Sequence, residues 1–379
     1  MAEISEGNAF PGPNDIETPG VKPNALVREY LLERLPIYRD LHNLQKQGWE
    51  SEAGDTYFQN QRQRADHPNF RTEAGFFMLM HNIGIELNKA TAALTIQNSG
   101  NPRPAILDLC MAPGGFSSAA LSYNRSALLR AISLPPAQGG HKITLKKPWS
   151  STNPEAKIFV SFRDITFLAD EMETPVSSIP ASHPDFASFS SDRPFLGQEF
   201  DLVFCDGQVL RTHERLEYRE NSEATRLLTS QLVLGLQRIQ PGGSMVILLH
   251  KANTWSSVLL MHTFTLFSDS VELFKPRKAH RTHSSFYLVA KGVRPRDEAA
   301  VEAVRQWKVK WNMATFGVVE GREDGLPLDE GEVEVLGSGE EKVRVVLKEF
   351  GPALVRMAEP VFEIQAEALR NAPWMRSQT

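Results

Sequence analysis

The sequence has few cysteines and no long apolar run. Its two cysteines, Cys110 and Cys205, lie in apolar stretches typical of strands and are too few for a disulfide framework. This scarcity favours a reducing, intracellular setting, either cytoplasmic or nuclear. No stretch approaches the roughly 18 apolar residues of a membrane span, and the acidic N-terminus, rich in Pro and Gly, lacks the apolar core of a signal peptide. We therefore expect a soluble protein with no membrane partner.

Overall basic charge is lacking as well. The chain carries 41 Lys and Arg against 46 Asp and Glu, which gives a formal net charge of −5. A nucleic acid, if one is bound, must therefore contact a local basic patch. Cys and His residues at zinc-site spacing are missing from the sequence, as are a Walker loop and a G-x-S-x-G elbow. The sequence thus predicts no metal site and argues against those two classes of hydrolase.

Composition divides the chain into four parts. Residues 1–23, rich in Pro, Gly and acidic side chains, are expected to form a disordered tail, and residues 24–71 a helical N-terminal extension. Residues 72–293 carry alternating strand and helix patterns and form the predicted core domain, in which 173–198 is interpreted as a surface insertion. Residues 294–379 are predicted to be a helical and acidic C-terminal extension, which offers a surface to a protein partner.

The core domain contains a regular succession of short apolar runs and helical patterns. Because strands alternate with helices, we expect an α/β fold with a mostly parallel sheet and helices on both faces. The predicted strands are residues 104–109, 127–133, 157–162, 200–205 and 244–249, followed by a strand pair at 270–274 and 286–290, and the predicted helices include 220–239 and 255–267.

The most specific local pattern is Asp-Leu-Cys-Met-Ala-Pro-Gly-Gly-Phe-Ser at residues 108–117, between the first strand and a helix. Gly114 and Gly115 remove side chains where a backbone must approach a ligand or adopt a positive φ. The N–H groups at the start of the following helix suit a carboxylate, and Asp108 suits an ammonium. An ordinary strand-to-helix turn is the alternative for a lone pair of glycines, but the complete ten-residue string favours a binding turn.

Residues 108–117 resemble the first motif of the FtsJ/RrmJ family of ribose 2′-O-methyltransferases, which reads D-L-x-A-A-P-G-G-(F/W)-S. The similarity continues through residues 200–207, 241–251 and 275–285, and residues 163–165 resemble the segment whose aspartate contacts adenine. The resemblance implies a Rossmann-like methyltransferase fold with a seven-stranded sheet and S-adenosyl-L-methionine as the cofactor. The cofactor-binding residues that it implies are Asp108, Cys110, Ala112, Pro113, Gly114, Gly115, Phe116, Ser133, Asp164, Ile165 and Asp206.

The catalytic set of that family is Lys-Asp-Lys-Glu, and the resemblance fills two of its positions. Asp206 matches the aspartate, which is expected to orient the reactants, and Lys251 matches the second lysine, the expected base. The first lysine falls on Phe77 and the glutamate on Phe286, while Ser133 replaces an acidic residue that often ends the second strand. A base needs a lowered lysine pKa, which desolvation by phenylalanine favours and the loss of a cationic neighbour opposes.

Three other residues are candidate substitutes for the missing catalytic groups. His250 precedes Lys251, although strand alternation directs it to the opposite face. His81 and Glu73 lie one helical turn after and before Phe77. Each of the three is more typical of a surface or packing residue.

A basic loop follows the sixth predicted strand, with four Lys and Arg residues and two histidines within residues 275–283. A segment with this many charged residues usually forms a solvated hairpin loop. The resemblance instead places part of this loop in a substrate-side motif, and RNA is the partner that it implies. The predicted substrate-binding residues are Lys275, Arg277, Lys278, Arg281, Ser284 and Ser285.

These patterns favour an enzyme that transfers a methyl group from S-adenosylmethionine to a ribose 2′-oxygen of RNA. Two alternatives stay open at this point. One is a catalytically degenerate scaffold that binds cofactor or RNA, and the other is a methyltransferase that acts on a small molecule or a protein side chain.

Overall fold

The computed structural model describes residues 23–52, 54, 56, 70–97, 103–146, 148–209, 215–317 and 339–376. The predicted disordered tail lies outside the described residues except for Pro23, and so does most of the acidic stretch of the C-terminal extension.

A seven-stranded sheet forms the centre of the fold. Its strands run in the order β3-β2-β1-β4-β5-β7-β6, and β7 is antiparallel to both of its neighbours, whereas the other pairings are parallel. The residues of β1 and β4 are all buried, as expected for strands that helices cover on both faces. The strands are β1 (Ala105–Leu109), β2 (Leu128–Ser133), β3 (Ile158–Phe162), β4 (Phe200–Cys205), β5 (Ile239–His250), β6 (Ser270–Phe274) and β7 (Ser285–Val293).

Helices precede, connect and follow these strands. Pro36 begins the second helix immediately after the first has ended, in the early position where proline fits a helix. The described helices are α1 (Pro23–Arg34), α2 (Pro36–Trp49), α3 (Phe70–Thr91), α4 (Gly115–Tyr123), α5 (Glu223–Arg238), α6 (Trp255–Leu266), α7 (Glu298–Phe316), α8 (Glu340–Arg370) and α9 (Pro373–Arg376). The α/β fold with a mostly parallel seven-stranded sheet and helical extensions at both ends is therefore confirmed.

Two apolar layers cover the two faces of the sheet. On one face α3 and α4 pack through side chains such as Leu87 and Phe116. On the other face α5 and α6 share a single core with α1, α2, α7 and α8, to which Leu31 and Trp311 contribute. The terminal helices are thus part of the second layer, and Asn24 of α1 accepts a hydrogen bond from the Trp255 N–H at the start of α6 (2.8 Å).

Residues 173–198, interpreted from the sequence as a surface insertion, contain short 3₁₀ turns between β3 and β4. The segment buries Ile179 and Phe189. The Phe189 ring lies against Trp311 and Phe316 of α7, with ring centroids 6.3 and 5.7 Å apart. The C-terminal extension therefore packs on this segment.

Candidate active site

A cleft opens at the carboxyl ends of the parallel strands. The order of strands reverses between β1 and β4, and such a switch is where open α/β sheets bind ligands. The cleft is lined by residues at the ends of β1 to β5, by the start of β7, and by the loop between β6 and β7. Of the predicted cofactor residues, those that line it are Cys110, Ala112, Pro113, Gly115, Phe116, Ser133, Asp164, Ile165 and Asp206.

The two glycines of the turn after β1 have different structural tasks. Gly114 has a φ of 98°, a left-handed backbone that side chains rarely adopt. Gly115 allows α3 and α4 to approach each other, because a Cβ at this position would lie 2.5 Å from the Phe77 carbonyl oxygen and 2.6 Å from the Met80 Cβ. The sequence prediction of two ligand-facing glycines therefore omitted the helix contact of Gly115.

Asp108 lies at the end of β1 with its side chain almost fully buried. One carboxyl oxygen accepts a hydrogen bond from the Ser117 hydroxyl, and the other has no hydrogen-bond partner among the described residues. Burial raises the pKa of Asp108 to about 7. Burial, together with Asp108, also raises the pKa of Asp206 well above its usual range.

Asp164 stands at the other end of the cleft, just after β3. Its Oδ1 accepts hydrogen bonds from the N–H and the hydroxyl of Thr166, at 2.9 and 2.8 Å, which fixes the carboxylate at the start of a 3₁₀ turn. Ser133 is buried at the end of β2, and its carbonyl accepts the Arg163 N–H at 2.9 Å.

Gln231 is a site residue that the sequence analysis missed. Its buried amide on α5 accepts the Gly207 N–H (2.7 Å) and donates to the Gly207 carbonyl (3.1 Å). This pair of bonds holds the turn that carries Asp206, and no motif marks it because the partners are 24 residues apart.

Lys251, the predicted base, does not line the cleft in the part of the chain that the structure describes. Among the described residues, the cleft lining includes Leu248 of β5 and not Lys251, which lies just beyond the strand with a φ of 52°. Leu248 lies opposite Tyr287, another lining residue. His250, expected on the far face, has its Nε2 3.0 Å from the Nε2 of Gln208, which lines the cleft. Alternation along β5 places His250 on the same face as Leu248, opposite Lys251, and a catalytic role of His250 stays a prediction.

Phe77 and Phe286, which replace two family catalytic residues, belong to opposite apolar layers. Phe286 is fully buried on the α5 and α6 face, while its neighbours in β7, Ser285 and Tyr287, line the cleft. Phe77 is buried between α3 and α4 and stacks on His81, with 6.3 Å between ring centroids. Among the described residues, the cleft lining includes neither Phe77 nor Phe286, so the structure gives no support to the expectation that they dry the site. Glu73 lies near enough to His141 to oppose the lowering of its pKa by burial.

The basic loop is tied together by its own first lysine. Lys275 is buried, and its ammonium donates hydrogen bonds to the carbonyl oxygens of His280 (3.2 Å), His283 (2.6 Å) and Ser285 (2.8 Å). The ammonium of Lys275, a predicted substrate-binding group, therefore bonds to the backbone of its own loop and is not exposed at the surface. Exposed positive charge comes from Arg277, Lys278 and Arg281, and Ser284 accepts the Lys251 N–H through its carbonyl oxygen (3.1 Å).

This cleft fits S-adenosylmethionine. Neither the carboxyl of Asp108 nor that of Asp206 has its pKa lowered by a cation from the described residues, so both would be stabilised by a ligand that carries an ammonium and a sulfonium. The start of α4 offers N–H groups to a carboxylate beside them. The fold and the cleft together define a Rossmann-like methyltransferase that uses this cofactor.

The family follows from comparison with known proteins. A family model described as FtsJ-like methyltransferase matches residues 85–293, more than half of the chain, so the protein belongs to this family. No curated protein matches the chain.

Several solved structures of methyltransferases are similar to this chain at low identity. They include a protein described as a ribosomal RNA methyltransferase from Plasmodium falciparum (17% identity, 56% of this chain and 96% of that chain, TM-score 0.35). Human methyltransferase-like protein 13 with S-adenosylhomocysteine is 10% identical over 67% of this chain and 99% of that chain, with a TM-score of 0.30. NodS from Bradyrhizobium japonicum with the same ligand is 14% identical over 55% and 87%, with a TM-score of 0.32. These low scores add nothing to the family assignment.

Two further predictions concern metals and membranes. Within the described ranges, no group of three or more His, Cys, Asp or Glu residues could hold a metal ion. In the same ranges, none of the helices has the length and apolar character needed to cross a membrane.

Proposed function

We propose that this methyltransferase acts on RNA and transfers the methyl group to a ribose 2′-oxygen. The observation that carries the proposal is the construction of the basic loop. Its inner residues Pro276 and His280 line the cleft, whereas Arg277, Lys278 and Arg281 are exposed on the same nine-residue segment. Cations placed in this way would hold a phosphate backbone while the attached nucleotide enters the cleft.

The residues of the chain would bind and orient the reactants. When bound, S-adenosylmethionine supplies an electrophilic methyl carbon on a positively charged sulfur. Asp108 would accept the ammonium of the cofactor, and Asp164, fixed by Thr166, would contact the adenine. Asp206, held in place through Gln231 and Gly207, would stabilise positive charge near the reacting carbon.

Methyl transfer is an in-line displacement, so alignment of the acceptor accounts for much of the rate. The cofactor would occupy the end of the cleft near β1, β2 and β3, where the glycine turn and Asp164 lie. The acceptor oxygen would then approach from the side of β5 and β7. The basic loop is on that side of the sheet. The role of Lys251 as the base stays a prediction from the family pattern.

The test is transfer of tritiated methyl groups to total RNA, followed by alkaline hydrolysis. Methylation of a 2′-oxygen blocks cleavage at that nucleotide and leaves a labelled dinucleotide, whereas base methylation leaves labelled mononucleotides. Label in protein or small molecules with none in RNA would refute the proposal. Cofactor binding with no transfer to any acceptor would favour the scaffold instead.

A charge-neutralised variant tests the loop itself. Changing Arg277, Lys278 and Arg281 together to Gln should raise the KM for RNA at least about tenfold and reduce the slope of log KM against log salt by about 2, at roughly 0.7 for each contact to a single strand. The matched control changes three exposed arginines outside the loop, Arg296, Arg305 and Arg344, and should leave both quantities unchanged. Equal effects of the two triple variants would show a general charge effect and would count against the proposed contact.

A further inference from the structure

We infer that His280 is the general base that accepts the proton of the substrate hydroxyl, an inference that rests on the proposed function. The wall of the cleft at the end of β5 carries Leu248, and the lysine that the family pattern suggests lies outside the described cleft lining. A ribose hydroxyl is a weak nucleophile, and a positioned base is needed to activate it. His280 lines the cleft, and the surrounding loop fixes both its backbone and its ring.

The backbone of His280 is held in an unusual conformation. Its φ is 50°, in the left-handed region that is uncommon for residues other than glycine, although histidine is enriched there together with asparagine and aspartate. Its carbonyl oxygen accepts hydrogen bonds from the buried Lys275 ammonium (3.2 Å) and from the His283 N–H (3.1 Å). Conformations of this kind persist where the surroundings hold them, and they cluster at functional sites.

The imidazole ring is oriented by a second histidine. The Nδ1 of His280 lies 3.3 Å from the Nδ1 of His283, whose side chain is buried. A hydrogen bond between the two nitrogens requires one N–H, and when His280 supplies it, the acceptor lone pair of His280 is on Nε2. His283 then orients the base as the third residue of a catalytic triad orients its histidine.

The position of His280 along the sheet suits the acceptor rather than the cofactor. The loop that carries it joins β6 to β7, and β7 lies three strand spacings from β1, or about 14 Å at 4.7–4.9 Å per spacing. Asp206 follows β4 next to β1 and so lies nearer the glycine turn. A nucleotide whose phosphate contacts Arg281 would bring its ribose close to the neighbouring His280.

The step balances without a further reactant. As the hydroxyl oxygen forms its bond to the methyl carbon, the O–H proton passes to Nε2 of His280. The bond between the methyl carbon and sulfur breaks with its electron pair on sulfur, which gives S-adenosylhomocysteine and the methyl ether. The imidazolium then returns the proton to solvent.

The experiment compares two glycine variants of the full chain, His280→Gly and Lys251→Gly. Both residues have a φ near 50°, so glycine fits either backbone without strain. Single-turnover transfer to RNA, the Kd for S-adenosylhomocysteine and rescue by added imidazole are measured for both. We expect His280→Gly to lower the rate at least about a hundredfold with Kd changed less than about threefold, and imidazole to restore part of the rate with saturation. Lys251→Gly should lower the rate less than His280→Gly does, and added imidazole should not restore its rate.

Four results would overturn the inference. A nearly unchanged rate in His280→Gly would show that His280 is not the base. An inactive His280→Gly variant that imidazole does not rescue would assign His280 a structural role. A large loss in Lys251→Gly with little loss in His280→Gly returns the role to Lys251. If the wild-type protein transfers no methyl group to RNA, the proposed function fails, and the inference fails with it.

Discussion

Acidification from pH 7.0 to 5.5 is expected to weaken cofactor binding, because the ionised Asp108 carboxylate is the form that attracts the ligand ammonium. Asp108 is buried beside Ser117, and its pKa of about 7 means that a small pH change alters its charge. An α-amino group with a reference pKa of about 7.7–8.0 stays mostly protonated over this interval. The change in affinity therefore reflects protonation of the protein and not of the ligand.

The expected size follows from the fraction of ionised Asp108. With a pKa of about 7, that fraction is about one half at pH 7.0 and about 3% at pH 5.5, so the apparent Kd should rise about 16-fold if binding needs the ionised form. Stability without ligand should move in the opposite direction. The folded-state pKa lies above the unfolded value of 3.8, so the contribution of Asp108 to folding is full below pH 4 and is lost as the pH rises through 7.

Calorimetry with S-adenosylhomocysteine between pH 5.5 and 7.0 measures the change in apparent Kd, and thermal unfolding without ligand measures the change in stability. Asp108→Asn should bind more weakly with little pH dependence. Methylthioadenosine, which lacks the amino-acid part, should show a flat profile. A pH-independent Kd in the wild type, or an unchanged slope in Asp108→Asn, would refute this reasoning.

Three further predictions concern the turn and the loop. Gly114→Val should abolish cofactor binding in calorimetry, because its φ of 98° strains a side chain and the new Cβ would lie 3.0 Å from the Met111 sulfur; unchanged affinity would count against this placement of the ligand. Gly115→Ala should lower the free energy of unfolding in urea by about 1–3 kcal/mol by forcing α3 and α4 apart, and an unaltered midpoint would contradict that contact. Lys275→Met should remove three hydrogen bonds from buried carbonyls and raise the rate of proteolysis between residues 275 and 285, while wild-type resistance would show that the loop holds without them.

The sheet and the cofactor end of the cleft could be predicted because their signals are local. Each strand of the core is a short apolar run, and the turn at 108–117 contains its own conformational requirement in Gly114. Strand limits were less accurate, since β5 extends from Ile239 to His250 rather than over 244–249. Pairing of Ile239 with Phe200 of β4 and of His250 with Ser285 of β7 determines these limits, and neither partner is adjacent to β5 in the sequence.

The acceptor end could not be predicted in the same way, because pairing across the sheet decides which side chains face the cleft. Leu248 faces it opposite Tyr287, and β5 ends before Lys251, which is not among the described residues that line the cleft. The bonds from Gln231 to Gly207 likewise depend on packing between α5 and the end of β4.

This division between the two ends of the cleft has a consequence for the chemistry. The residues predicted to hold a cofactor follow neighbouring parallel strands of the sheet. The acceptor wall is built by the antiparallel β7 and the loop before it, where Lys275 uses its charge internally and positions His280 at the cleft. A base supplied by a loop can replace one supplied by a strand without altering the strands that carry the predicted cofactor residues. The identity of the base should therefore be sought in the loop between β6 and β7, and the paired glycine variants at positions 280 and 251 distinguish the two sources.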